Sequence, residues 1–472
     1  MLAPLEPTGW TPEAAAHLLN RAGFGGNPKE IADLHALGLD GAVDWLLGAG
    51  DDSDLFPPPR ASEAEDLKAH QAAQRTRTEE ERRQFQQELQ RDNRQKIDEL
   101  RIWWLERMRW SPFAAREKAT LFWHGHWATS VEKVPWAFML WQQNETLRAH
   151  ALGSFRAMVR EISRDPAMMR YLDVVASKRE RPNENFAREL MELFTLGEGN
   201  YSEDDIREAA RAFTGYRIDD ATQQFFFARR QFDDRPKTFF GTTAAFDGDG
   251  IIDRILEEPQ CARFLARKLW IYYAGTEPSQ DWNETLAAEY RASGYDTGVF
   301  LRALFRARGF YAPDVVRRQV KGPVQWLVGT CRMLEMPLPS ADVSLGMLRQ
   351  LGQVLFAPPN VKGWDGGRAW ISSATLLLRY NFAGFLVSGR ATGLPGIPGR
   401  AQPVPLSVET LAGPTPSADE VIERFSWRLF QSQPDPTLRQ KFVQFLSTRP
   451  PAPETWRDCL HLLMSTPEFQ LT

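Results

Sequence analysis

The segment Thr120-Leu-Phe-Trp-His-Gly-His-Trp-Ala-Thr129 places two of the chain's seven histidines, His124 and His126, one residue apart around Gly125. Imidazoles at that spacing could bind a divalent metal ion, relay a proton or finish a helix. On a continuous α-helix, residues i and i+2 point about 200° apart, so the two rings would not face one ion. A left-handed turn at Gly125 would end the helix near Trp123 and let them converge. Otherwise His124 meets the C-terminal dipole of the helix and His126 hydrogen-bonds in the core. A metal site would also need carboxylates or a third histidine from elsewhere.

Such carboxylates occur in Arg181-Pro-Asn-Glu-Asn-Phe-Ala-Arg-Glu-Leu-Met-Glu-Leu-Phe-Thr-Leu-Gly197. Pro182 and Asn183 read as a helix start and Gly197 as its stop. At helical spacing, Phe186, Ala187, Leu190, Met191, Leu193 and Phe194 take one side, and Glu184, Asn185, Arg188, Glu189 and Glu192 the other. Arg188 stands four residues from both Glu184 and Glu192, which stabilises an amphipathic surface helix. The same polar side could also carry chemistry. In that reading His124, His126, Glu189 and Glu192 hold the metal, and the two histidines, Arg188 and Glu189 act on the substrate. Asn183, Asn185, Lys133, Trp364 and Trp370 then bind it.

Two further groups carry weaker signals. Asp233, Asp234, Lys237 and Asp247-Gly-Asp249 would suit calcium, but their spacing is not that of an EF-hand and turns favour aspartate anyway. Pro358-Pro-Asn-Val-Lys-Gly-Trp-Asp-Gly-Gly-Arg-Ala-Trp370 is a rigid, glycine-broken loop that could line a pocket or wedge two helices together. Haem-attachment, phosphate-loop, serine-elbow and zinc-protease motifs are absent. Cys261, Cys331 and Cys459 are odd in number and far apart, and are expected as reduced core residues.

The elements that must position these residues read as mainly α, a large helical-bundle-like domain with one short β-hairpin near 224–241. Thr11-Pro12, Asn27-Pro28 and Asp40 open three short helices, an N-terminal bundle over 1–55. A long charged helix follows within 56–110, with Phe85, Leu89, Ile97, Leu100 and Trp104 as its narrow apolar stripe. The main domain spans 111–392, a Pro/Gly-rich linker or loop 393–416, and a C-terminal helical segment 417–472. Seven tryptophans between 103 and 141 predict a heavy aromatic core or an aromatic-walled pocket.

The 472 residues, 43% of them hydrophobic, suffice for a large core, and 57 basic against 61 acidic side chains argue against a general nucleic-acid grip. No run of apolar residues is long enough to span a membrane. The start Met1-Leu-Ala-Pro lacks a signal-peptide pattern, so a cytoplasmic location is the expectation.

Taken together, several segments resemble the bacterial family named domain of unknown function 1800 (DUF1800). They are His17-Leu-Leu-Asn-Arg-Ala-Gly-Phe-Gly25, Phe122-Trp-His-Gly-His-Trp-Ala-Thr-Ser130 with Lys133-Val134, and the 182–197 helix. Glu208-Ala-Ala-Arg-Ala-Phe-Thr-Gly215, Lys237-Thr-Phe-Phe-Gly241, Pro358-Pro-Asn-Val-Lys-Gly-Trp364 and Ser465-Thr-Pro-Glu-Phe469 complete the set. Relatives often carry His-Asp ahead of the Lys-Thr-Phe-Leu-Gly motif, where this chain has Phe232-Asp233. The resemblance implies a mainly helical protein, often encoded beside a secreted sulfatase-like protein, hence a partner and export-linked work. It supplies no reaction. Two functions stay open: a metal- or His/Glu-dependent hydrolase or lyase acting on a glycan-like envelope polymer, or a non-catalytic scaffold or maturation factor for that neighbour.

Overall fold

The computed structural model describes residues 3–75, 77–388, 406–414 and 416–472. Helices dominate because start and stop residues fall where the apolar periodicity needs them. Thr11 accepts a hydrogen bond from the Ala14 amide, opening Pro12–Ala22. Asn27 and Glu30 form a capping box on Pro28–Ala36, and Thr78 and Glu81 do the same for the 32-residue helix Glu79–Trp110. The third short helix, Gly38–Leu46, begins two residues ahead of Asp40. Of the stretch expected as linker, 393–405 and 415 lie outside the described residues, and Val408–Ala412 is a short helix.

The strands pair differently from the sequence reading. Gln224–Phe227 (β2) and Lys237–Phe239 (β3) are extended as expected, yet they do not pair with each other. β2 pairs with Tyr216–Asp219 (β1), and β3 with Thr242–Ala244 (β4), giving two small antiparallel hairpins. The segment between them does not form a hairpin turn because buried Asp233 anchors it from elsewhere. Its carboxylate accepts from Arg211 Nε at 2.8 Å and Arg235 Nε at 2.9 Å, and its carbonyl accepts from Lys237 Nζ at 2.7 Å. Asp247 caps the helix Gly248–Glu257, and Asp249 pairs with Arg164. The aspartates that suggested calcium therefore hold helices and loops together.

Two apolar cores form. One gathers the N-terminal bundle and the helices from 155 to 310. The other gathers the distal half of the charged helix with the helices from 323 to the C-terminus. The helix Ala114–His126 lies between them, giving Phe122 and Trp123 to the first and Leu121 to the second. The three cysteines are buried and unpaired. No helix among the described residues is long and apolar enough to cross a membrane.

A buried ion cluster fixes that central helix. Glu117, fully buried, accepts from Trp104 Nε1 at 2.9 Å, Arg107 Nε at 3.2 Å and Arg148 Nε at 2.8 Å. Arg107 and Arg116 also bind Asp52, at 2.7 and 2.6 Å. Burial pushes the Glu117 carboxyl up, but Arg148 and Arg107 outweigh it and hold the group below its ordinary value. Glu117→Ala removes the carboxylate that joins Arg107 to Arg148, leaving Arg107 with Asp52 and Arg148 with the more exposed Glu145, and is expected to cost about 3 kcal/mol in urea unfolding. A loss under about 1 kcal/mol would show that the cluster does not anchor the helix.

Candidate functional site

The Ala114–His126 helix runs straight through Gly125 and closes with Trp127 N donating to Trp123 O at 2.7 Å. Gly125 makes no left-handed turn, so the imidazoles point to opposite sides. His124 lies among Trp104, Phe356 and Trp364, and its Nε2 accepts from the Phe356 amide at 3.0 Å. Its proton is therefore on Nδ1. His126 lies among Phe122, Trp123, Trp127 and Phe155, and its Nε2–H donates to Phe194 O at 3.0 Å. Its free atom is the Nδ1 lone pair, buried and without a partner. Burial and the Arg101 charge lower His124 to about 3. Burial and then Lys268 lower His126 well below its ordinary value. Both rings are neutral at physiological pH.

The 182–197 motif meets this helix through its backbone. The α-helix Asn185–Glu189 passes into a π-helical turn over Leu190–Thr195. Two consecutive carbonyls at its end serve side chains from other elements: Leu193 O accepts from Lys268 Nζ at 3.3 Å, and Phe194 O from His126. The polar side of the motif has its own partners. Arg188 makes a two-pronged pair with Glu203 at 2.9 Å and a longer contact with Glu184. Glu192 accepts from Tyr201 Oη at 2.7 Å. The Glu189 carboxyl is pushed up by burial and then by Glu192. Asn183 accepts from the Asn185 amide, and Lys133 pairs with Asp173 at 2.7 Å. Among the described residues no three His, Cys, Asp or Glu side chains gather as a metal site.

A cavity of about 520 Å³ does form beside the histidine helix. Lys118, Leu121, Phe122, Gly125 and His126 line it, the i, i+3, i+4, i+7, i+8 face of one helix. The helix Pro259–Ala274 adds Lys268 and Tyr272, the segment entering the helix Pro323–Met333 adds Gln319 and Lys321, and that helix's first turn adds Gln325. Trp364 and Trp370 form the aromatic wall. Their loop is pressed against the histidine helix: Gly363 has φ +85°, and a Cβ there would stand 2.2 Å from Gly125 O. Of the expected residues, the cavity thus brings together His126, Trp364 and Trp370. His124 stands behind that wall.

The charge of the cavity is the feature the sequence reading missed. Arg267 is paired with Glu277, and Lys362 lies 3.6 Å from Asp365. Lys118, Lys268 and Lys321 have no carboxylate within 4 Å among the described residues. Lys118 Nζ donates to Gln325 Oε1, and Lys321 Nζ to Phe469 O at 2.8 Å. Burial, then the neighbouring Arg21, brings Lys118 down to about 7. Burial, then Arg317 and Arg379, does the same to Lys321, and burial with Lys362 brings Lys268 to about 8. Two strides of four from His126, through Phe122, reach Lys118, so that lysine was visible on the helical wheel. Lys268 and Lys321 come from elements that only the tertiary fold brings near. A larger cleft of about 690 Å³ lies beside the N-terminal bundle, but its Glu30 and Glu335 are paired with Arg332 and Arg428.

The family model described as "Protein of unknown function (DUF1800)" matches residues 17–471. The chain belongs to this family. No curated protein and no solved structure matches it. The match covers the histidine helix, the π-helical motif and the tryptophan loop, and every cavity-lining residue except Thr472.

Two measurements test this construction. Gly363→Ala is expected to destabilise the fold by about 1–2 kcal/mol from the left-handed backbone alone, with the clash adding to it. An unchanged melting temperature would contradict the close approach. The lysines make a second test. Unfolded, they titrate near 10.5; folded, Lys118 and Lys321 titrate near 7, so the unfolded chain binds more protons in between. Stability from these groups therefore rises with pH above 7. The window to use ends near 8.5, before thiols that titrate at an ordinary 9.0 but are raised to about 12 by burial begin to oppose the trend. Lys118→Met is expected to flatten the slope and add about 1–4 kcal/mol at pH 7. An unaltered slope would show that Lys118 titrates normally.

Proposed function

We propose that this protein binds an anionic, ring-bearing ligand, a unit of an acidic glycan, in the tryptophan-walled cavity and acts on it there as a hydrolase or lyase. One observation carries the reading: three cavity lysines with no carboxylate within 4 Å among the described residues. Buried charge without a partner is expensive, and a group in that state shifts toward its neutral form. An anion entering the cavity supplies the missing partner, and its binding energy includes relief of that cost. Trp364 and Trp370 offer faces on which a sugar ring stacks, and the glutamine amides offer donors and acceptors to its hydroxyls. Lysine amines that titrate near neutrality are suited to accept a proton at working pH. This reading moves the acid–base work from the His/Glu set to lysines. His126 keeps a place in the cavity wall with its unpartnered Nδ1.

Tryptophan fluorescence during titration with oligogalacturonate, and with a neutral malto-oligosaccharide as control, tests the proposal. The acidic ligand is expected to bind at least about tenfold tighter, a difference of roughly 1.4 kcal/mol, and to weaken with added salt. Trp364→Ala and Trp370→Ala should each lose affinity. Equal binding of the two sugars, or affinity unmoved by either substitution, would reject it.

A further inference from the structure

The three lysines are not equivalent. Lys321 is held by a backbone carbonyl, Phe469 O, and its ammonium lies 4.2 Å from the centre of the Phe469 ring. Lys268 is tied to the backbone carbonyl of Leu193. Lys118 alone has a movable partner, the side-chain amide of Gln325, which itself lines the cavity. Its stem is fixed on the central helix, where neighbouring Glu117 is locked in the ion cluster. Around its amine stand Phe24 at 5.1 Å and Tyr272 at 5.6 Å, both ring-centre distances. The Tyr272 hydroxyl is already donated to Lys118 O at 3.2 Å. The other charged group facing it is Arg21, from the helix Pro12–Ala22. Arg21 is engaged with Gln319 Oε1 and with the carbonyls of Tyr273, Val315 and Thr472.

We infer that Lys118 forms a covalent imine with a carbonyl carbon of the cavity's ligand, which is then an oxo acid, carrying an aldehyde or ketone as well as its anionic group. The inference rests on the cavity being the ligand site proposed above. The amine lone pair attacks the carbonyl carbon and gives a carbinolamine. The carbinolamine then loses water: the carbonyl oxygen departs with the two amine protons, and a C=N bond replaces C=O. No oxidant or reductant is consumed. Lys268 and Lys321 bind the anionic end, while Gln325 releases the amine as the ligand enters. Burial and the nearby Arg21, with no carboxylate within 4 Å of the amine among the described residues, favour its neutral form, which the nucleophilic step requires. At pH 7 about half of Lys118 is neutral, against roughly one in a few thousand for an exposed lysine.

The test uses glyoxylate, an aldehyde joined to a carboxylate, with cyanoborohydride to reduce any imine, and acetaldehyde as the carboxylate-free control. Peptide mapping of the wild-type chain is expected to find one stoichiometric carboxymethyl group, on Lys118. The labelling rate should reach half its maximum near pH 7, and acetaldehyde should label that site more slowly. Lys118→Arg should abolish the adduct, and Gln325→Leu, which keeps the amine, should retain it. Labelling spread over surface lysines, or centred on Lys321 or Lys268, overturns the assignment. Oligogalacturonate binding without any glyoxylate adduct overturns the imine and leaves the ligand site standing. Loss of both overturns the cavity reading itself.

Discussion

The Glu117 carboxylate is the constraint on which the rest of the structure depends. It has no exposure, yet it is ionised, because Arg107 and Arg148 reach it from two other helices. Its loss breaks two buried ion pairs at once, so the charged helix, the histidine helix and the helix Ala137–His150 hold one fixed arrangement. Asp52 extends the hold to the loop after the N-terminal bundle. The rotation of the histidine helix about its axis is thereby set. Neighbouring residues on a helix point about 100° apart. Fixing Glu117 toward the arginines therefore turns Lys118 toward the cavity, and with it Phe122 and His126.

Two neighbouring charges on that helix, Glu117 and Lys118, contrast. Glu117 is fully satisfied within the protein, and Lys118 is not. Folding a chain around several buried ammonium groups without counter-charges is a stability cost that packing alone does not explain. Such costs concentrate where a protein meets its ligand. Arg21 and Arg379 are also buried, but backbone carbonyls and side-chain amides surround their guanidiniums. The cavity lysines have fewer such bonds, one each for Lys118 and Lys321.

Much of the fold was legible in the sequence because local signals and global packing agreed. Thr11 and Asn27 cap the helices that follow them, and Ile97, Leu100 and Trp104 are the buried stripe of the long helix. The hairpin pairing was not legible, since Asp233 turns its segment through contacts with Arg211, a residue distant in sequence. For the site, the sequence marked the right segments but not the right groups. Gly125 could have broken the helix but does not, and the close approach to its carbonyl constrains Gly363, where a Cβ would stand 2.2 Å from Gly125 O. The meeting of the histidine helix with the 182–197 motif was expected through carboxylates and occurs through carbonyls, which every residue carries and no composition reveals.

The π-helical turn over Leu190–Thr195 has a consequence for how this segment tolerates change in length. Its wider winding holds one more residue than an α-turn would, and it directs the Leu193 and Phe194 carbonyls at Lys268 and His126. Replacing the side chains of Leu193 or Phe194 would leave those acceptors in place. Deleting one residue would let the turn relax to a regular α-helix and rotate everything beyond it by about 100°. Both carbonyls would swing away together, releasing an imidazole and an ammonium in one step. The segment is thus more sensitive to its residue count than to its spelling.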